Sequence, residues 1–138
     1  MELMQMIKGI TFAPFSRRGK LDTKAARASL RNLKKLTGAN LIILVPNGLQ
    51  ETPQSETIAR ETQANATDEE FLSIIEYAHS LGLSVALKPT VNCMNGTWRA
   101  HISFFDKDVP CEPKWSNWFA SYTAFQLHYA ALVDMQPH

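Results

Sequence analysis

A strand-and-helix module recurs in this sequence every 44 residues, and no other feature limits the fold so tightly. Asp22-Thr23 opens one helical stretch, in which Ala26, Leu30, Leu33 and Leu36 recur at helical spacing. Gly38 stops it, because glycine takes the left-handed conformation at little steric cost. Leu41-Ile42-Ile43-Leu44-Val45 comes next, an unbroken apolar run closed by Pro46. Apolar residues on both faces are what a buried parallel strand requires. The same grammar returns with Thr67, Gly82 and the run Leu83 to Leu87, closed by Lys88-Pro89. Thr67-Asp68-Glu69-Glu70 reads as a capping box, and Phe71, Ile74, Ile75 and Ala78 form the buried stripe of its helix. Ile7 to Phe12 supplies an earlier strand. A third helix begins near Ser116, with Trp118, Tyr122, Phe125, Tyr129 and Leu132 on one face.

Alternating β and α elements predict an α/β fold: a parallel sheet with right-handed crossovers. A doubly wound nucleotide-binding sheet would place a glycine-rich turn after its first strand. Here that turn, Thr11 to Gly19, has one glycine. The connections after the strands are long (Ala13 to Leu21, Asn47 to Ala66, Thr90 to Lys114), whereas the turns at Gly38-Ala39 and Gly82 are minimal. Function on the βα loops is the habit of the (β/α)₈ TIM barrel. The chain is therefore expected to form the first three βα modules of such a barrel. Residues 1–138 are expected to be the N-terminal part of one domain, with a fourth strand due near Met135.

Composition sets outer limits. A net charge of +1 and 20% charged residues leave no electrostatic footprint for nucleic acid. No apolar run approaches the ~20 residues of a membrane span, and Met1 to Met6 does not read as a secretory leader. Cys93 and Cys111 are expected to be reduced thiols in a cytoplasmic protein. Neither nucleic acid nor membrane is expected as a partner, and no cofactor.

The loop after the third strand carries the chemistry. Lys88, Asn92, Trp98, Arg99 and His101 fall together there, at the face where a barrel keeps its site. An aromatic ring for the apolar face of a sugar, with polar side chains for its hydroxyls, makes a carbohydrate site. Trp98 equally suits a ring that pins the loop to the rim. Lys88 suits substrate contact or an ion pair within the barrel mouth. Asn47 suits a hydroxyl contact or, with Gly48, a turn. His101 has no histidine at helical spacing and no cysteine pair, so a metal is not expected. His79 and His128 read as surface or interhelical residues, and the Trp115, Trp118 and Phe119 cluster as helix packing. Glycosidic cleavage usually needs two carboxyl groups roughly 5–9 Å apart. The loop acids Glu51, Glu56, Glu61, Asp106, Asp108 and Glu112 all read as solvated, none directly at a strand end.

The run Leu87-Lys88-Pro89, then Gly96-Thr97-Trp98-Arg99-Ala100-His101-Ile102, resembles glycoside hydrolase family 113. So do Trp115-Ser116-Asn117-Trp118-Phe119-Ala120-Ser121-Tyr122, His128-Tyr129-Ala130, Lys8-Gly9-Ile10-Thr11 and Thr37-Gly38-Ala39-Asn40. The resemblance implies a bacterial (β/α)₈ barrel of β-mannanase type and retaining hydrolysis of β-1,4-linked polysaccharide, mannan foremost. It implies an acid/base glutamate after the fourth strand and a nucleophile after the seventh, both expected beyond His138. It places Lys88, Asn92, Trp98 and Arg99 in the region lining the sugar cleft.

A complete barrel has ~250 residues, and closure removes both sheet edges. Three strands leave two edges open and a barrel interior lined by Ile42, Leu44, Val85 and Leu87 or their neighbours. The chain alone is therefore expected to be marginally stable or to self-associate through those edges. Two functions are consistent with this: a truncated glycosidase, or a non-catalytic half-barrel remnant that binds sugar or itself.

Overall fold

The computed structural model describes residues 5–134. Its elements alternate as the repeat predicts: β1 (Gly9–Phe12), α1 (Lys24–Thr37), β2 (Leu41–Leu44), β3 (Asn47–Gln50), α2 (Asp68–Ser80), β4 (Ser84–Leu87), β5 (Thr90–Cys93) and α3 (Trp115–Asp134). A short 3₁₀ turn at Arg99–His101 lies between β5 and α3. The expected fourth strand near Met135 falls outside the described residues.

Both threonine caps form. Thr23 accepts from the Ala26 N–H at 3.1 Å. Thr67 accepts from the Glu70 N–H at 3.1 Å, and Glu70 accepts from the Thr67 N–H at 2.8 Å, completing the capping box. Glu70 also accepts from the Leu21 N–H at 3.2 Å, so the cap of α2 anchors the loop entering α1. Gly38 and Gly82 end the two helices at φ 65° and 76°.

β1, β2 and β4 pair in parallel in that order, with α1 and α2 as the crossovers. The sequence reading ends its second and third strands at Pro46 and Pro89 and treats the residues beyond each proline as loop. The structure corrects this. β3 pairs in parallel with β5, Asn47 against Thr90, in the same register that sets Leu44 against Leu87. A proline lacks the N–H of a ladder, so both strands are interrupted at matched positions and then resume. Lys88 N–H donates to the Leu44 carbonyl at 2.8 Å and Thr90 N–H to the Pro46 carbonyl at 2.9 Å, which carries the pairing across the break. Pro89, between them, turns its carbonyl toward the free edge, where the Gln126 amide of α3 donates to it at 3.3 Å.

The helices cover one face of this sheet. Ile42 and Leu44 are buried there with Leu30 of α1, Phe71 and Ile74 of α2 and Phe125 of α3, while Val85 and Leu87 pack against the same core. The barrel interior therefore falls to the neighbours of Ile42, Leu44, Val85 and Leu87, namely Leu41, Ile43, Ser84 and Ala86, because side chains alternate along a strand. The stripes expected on α2 and α3 face the core. Leu36 does not: it is 83% exposed. At about 100° per residue, steps of three slip back by roughly 60°, and the steps from Leu30 to Leu33 to Leu36 carry the last leucine off the face.

Candidate functional site

Alternation beyond the proline break decides which residues reach the mouth of the sheet. Gly48 lies on the helix side, so close to α3 that an added Cβ would stand 2.8 Å from the Phe125 ring and 2.5 Å from Ile58. Asn47 consequently points to the open side. Asn47-Gly48 is thus the start of a strand, where sequence also allowed a turn. Asn92 of β5 joins Asn47 there: its side-chain amide donates to Asn47 Oδ1 at 2.7 Å. The Asn47 carbonyl accepts from the amide of buried Asn65, which is held in turn by the Thr62 hydroxyl at 2.6 Å and the Thr62 N–H at 3.2 Å. Thr90 sits beside the pair with a buried hydroxyl that has no partner among the described residues.

The remaining predicted site residues divide into two groups. Lys88 and Arg99 line an open cleft of about 650 Å³ between the β4–β5 segment and α3, with Trp115, Trp118, Phe119 and Tyr122. Lys88 is exposed, and no ion pair involving it forms among the described residues. Trp98 is 69% exposed and meets His101 edge-on at 6.1 Å. Neither Trp98 nor His101 lines the Lys88 cleft.

One residue passed over in the sequence is central to this arrangement. Gln50 is fully buried at the end of β3, donates to the Thr52 carbonyl at 2.8 Å and the Ser55 carbonyl at 3.3 Å, and accepts from the Trp118 indole N–H at 2.9 Å. It ties the strand, its loop and α3 together. Trp118 stacks on Tyr122 at 5.0 Å with ring planes 10° apart, whereas Phe119 stays exposed. The cluster thus packs the helix, as expected, and also walls the cleft. Recognising this required placing β3 and β5, which the prolines concealed.

Glu51 directly follows Gln50, the last residue of β3, contrary to the expectation that no loop acid sits at a strand end. The other acids keep to solvated settings: Glu61 pairs with Arg60 at 3.2 Å, and Asp108 accepts from the Ser116 hydroxyl. His128 is interhelical, its Nε2 2.8 Å from Asp68 Oδ2 at the start of α2. Cys93 is buried and Cys111 exposed, both free, so only the first is structural. Among the described residues, no three His, Cys, Asp or Glu side chains gather as metal ligands, and no helix is long and apolar enough to cross a membrane.

The model of glycoside hydrolase family 113 matches residues 10–136. The chain belongs to this family. Among solved structures it is similar to a GH113 β-1,4-mannanase, with 47% identity over 92% of this chain and a TM-score of 0.87. A complex structure of a GH113 β-1,4-mannanase matches equally. It is also similar to the GH113 β-mannanase AaManA from Alicyclobacillus acidocaldarius in complex with ManMIm, with 42% identity over 91% of this chain and a TM-score of 0.81. The chain spans 41% of the first of these structures and 40% of the last. No curated protein matches the sequence. Family membership and the parallel strands identify the fold as part of a (β/α)₈ barrel.

Proposed function

We propose that these residues form the substrate-facing wall of a glycosidase that hydrolyses β-1,4-linked mannan with retention at the anomeric carbon. The observation that carries the reading is the Asn47–Asn92 pair, two amides aimed from the carboxyl ends of adjacent parallel strands into the face where barrels bind substrate. Amides bridge sugar hydroxyls because each carries both donors and an acceptor. Asn47, with Oδ1 engaged, keeps its NH₂ for a hydroxyl. Lys88 and Arg99 extend the wall on one side, and Trp98 with His101 offers an exposed ring and imidazole in the same connection.

The likeness to β-1,4-mannanases supports mannan as the substrate class. The acid/base and nucleophile glutamates are assigned to later strands of the barrel, outside these 138 residues. The test is to capture the polypeptide carrying this sequence from its natural source and incubate it with β-1,4-mannan. Following the anomeric protons of the first products by NMR should show β-configured ends. Initial α-configured ends, or action on xylan or cellulose alone, would refute the assignment.

A second reading is favoured by one feature, the apolar cleft beside the free edge of β4 and β5, walled by Val91, Ile102, Trp118 and exposed Phe119. In that reading the chain is a non-catalytic half-barrel that associates with itself across this edge. A captured polypeptide of the mass of this chain alone, associated with copies of itself and inert on mannan, is its expected signature.

A further inference from the structure

A second cavity, apart from the wall described above, lies between the first two long connections. Arg18 of the β1–α1 connection, Arg60 and Glu61 of the β3–α2 connection, and Thr67, Asp68 and Glu69 at the start of α2 line a hollow of about 340 Å³. The size suits a small ligand, for which pockets run to roughly 300–1,000 Å³, but every lining residue is polar or charged. The Arg18 N–H donates to the Gln63 carbonyl at 3.2 Å, which ties the two connections together.

Most of this lining is already matched. The capping box of Thr67 and Glu70 serves the end of α2, so the helix terminus is not what attracts a ligand. Arg60 stands 3.2 Å from Glu61 and 3.7 Å from Asp68, and Asp68 meets His128 at 2.8 Å. Arg18 and Glu69, of opposite sign, form no ion pair among the described residues. Arg18 Nε is also buried with no hydrogen-bond partner there, a costly state for a charged donor. An anion that met this donor would face the carboxylates of Glu61, Asp68 and Glu69, and a cation would face two guanidiniums. A neutral polyol suits both signs, because each hydroxyl can donate to a carboxylate and accept from a guanidinium.

We infer that this hollow is a second sugar-binding site, taking a neutral pyranose with one hydroxyl donating to Glu69 and another oxygen accepting from Arg18 Nε. The choice of a sugar among neutral polyols rests on the carbohydrate reading proposed above. The connections that build the hollow follow β1 and β3, at the same end of the sheet as the wall, so the polysaccharide gains a hold additional to Asn47 and Asn92.

The experiment is an NMR titration of the chain with mannobiose, following the Arg18 Nε–Hε signal together with the side-chain amides of Asn47 and Asn92. The Arg18 signal should shift saturably, and inorganic phosphate at equal concentration should move it less. Glu69→Ala, a change at an exposed position, should weaken the Arg18 response about tenfold, the size of a lost hydrogen bond to a charged group, and leave the two asparagine responses as in the parent. An Arg18 signal that stays fixed while Asn47 and Asn92 respond would overturn the second site and leave the carbohydrate reading standing. So would an Arg18 response that phosphate equals or that Glu69→Ala leaves unchanged. Signals fixed at all three residues would overturn both.

Discussion

The side-chain amide of Asn92 donates to Oδ1 of Asn47 across two parallel strands at 2.7 Å, and this bond defines the orientation of both residues at the mouth of the sheet. Asn92→Asp is nearly isosteric but replaces the donor with an acceptor. The Asn47 amide then has to turn over and give its NH₂ to the carboxylate, so stability in urea denaturation should change by about 1 kcal/mol or less. Mannooligosaccharide affinity should fall nonetheless, since the NH₂ that Asn47 keeps for a sugar hydroxyl is spent on the new carboxylate. Asn92→Asp with parent-like affinity would show that the bond orients nothing.

Gly48 allows α3 to approach β3. Its Cβ position is 2.5 Å from Ile58 and 2.8 Å from the Phe125 ring, both in a packed core. Gly48→Ala should destabilise the fold by about 1–3 kcal/mol, the usual cost of overpacking. Trimming the obstruction in Gly48→Ala/Phe125→Leu should recover part of that loss. Additive penalties in the double variant would place the clash elsewhere.

Acid should weaken the α1–α2 contact first. The Asp22 carboxylate accepts from the Arg27 guanidinium at 2.9 Å and the Ser73 hydroxyl at 2.5 Å, which holds it below the usual 3.8. Burial pushes Glu70 up, yet N–H donors from Thr67, Gly19 and Leu21 outweigh it and leave its carboxyl below 4.5. Both groups favour ionisation more in the folded state than in the unfolded one. Their stabilisation is therefore present above the unfolded values of 3.8 and 4.5 and is lost as pH falls through the lower folded ones. Denaturation midpoints should drop below about pH 4.5, and Asp22→Asn with Glu70→Gln should flatten that dependence. An unchanged slope in the double variant would assign the acid sensitivity to other groups.

The two thiols should differ in reactivity. Cys93 is buried, and burial raises its pKa, whereas Cys111 is exposed. The thiolate is the reactive form, so iodoacetamide should label Cys111 first and Cys93 only on unfolding. Equal rates in the native chain would show that β5 opens readily.

Sedimentation should reveal association that grows with concentration, as expected of a free strand edge beside an apolar cleft. Phe119→Glu adds a charge to an exposed position on that cleft and should lower association without lowering Tm. A monomer at all concentrations would contradict the self-association reading.

Much of the fold is legible in the sequence because its signals are local. Thr67 and Glu70 are three residues apart, and the stripe from Phe71 to Ala78 lies within one helix. The family also carries over from short runs such as Gly96-Thr97-Trp98-Arg99. Leu36 misleads because a three-residue step imitates helical periodicity over one turn and then drifts. β3 and β5 escape the sequence for a different reason. Pro46 and Pro89 are strand breakers in isolation, and only their matched positions in a shared register let pairing resume beyond them. That relation spans 43 residues, from Asn47 to Thr90, and has no local signature. Without those strands, Gln50, Thr90 and Glu51 read as loop residues, and the Asn47–Asn92 bond has no basis for prediction.

The most direct test of the carbohydrate site is an amide-resolved NMR titration of the chain with mannohexaose and, separately, cellohexaose. The side-chain NH₂ signals of Asn47 and Asn92 should shift together and saturably with mannohexaose, and less with cellohexaose. Signals that stay fixed at saturating sugar, while amides elsewhere move or none move at all, would contradict the placement of the substrate wall on these two strands.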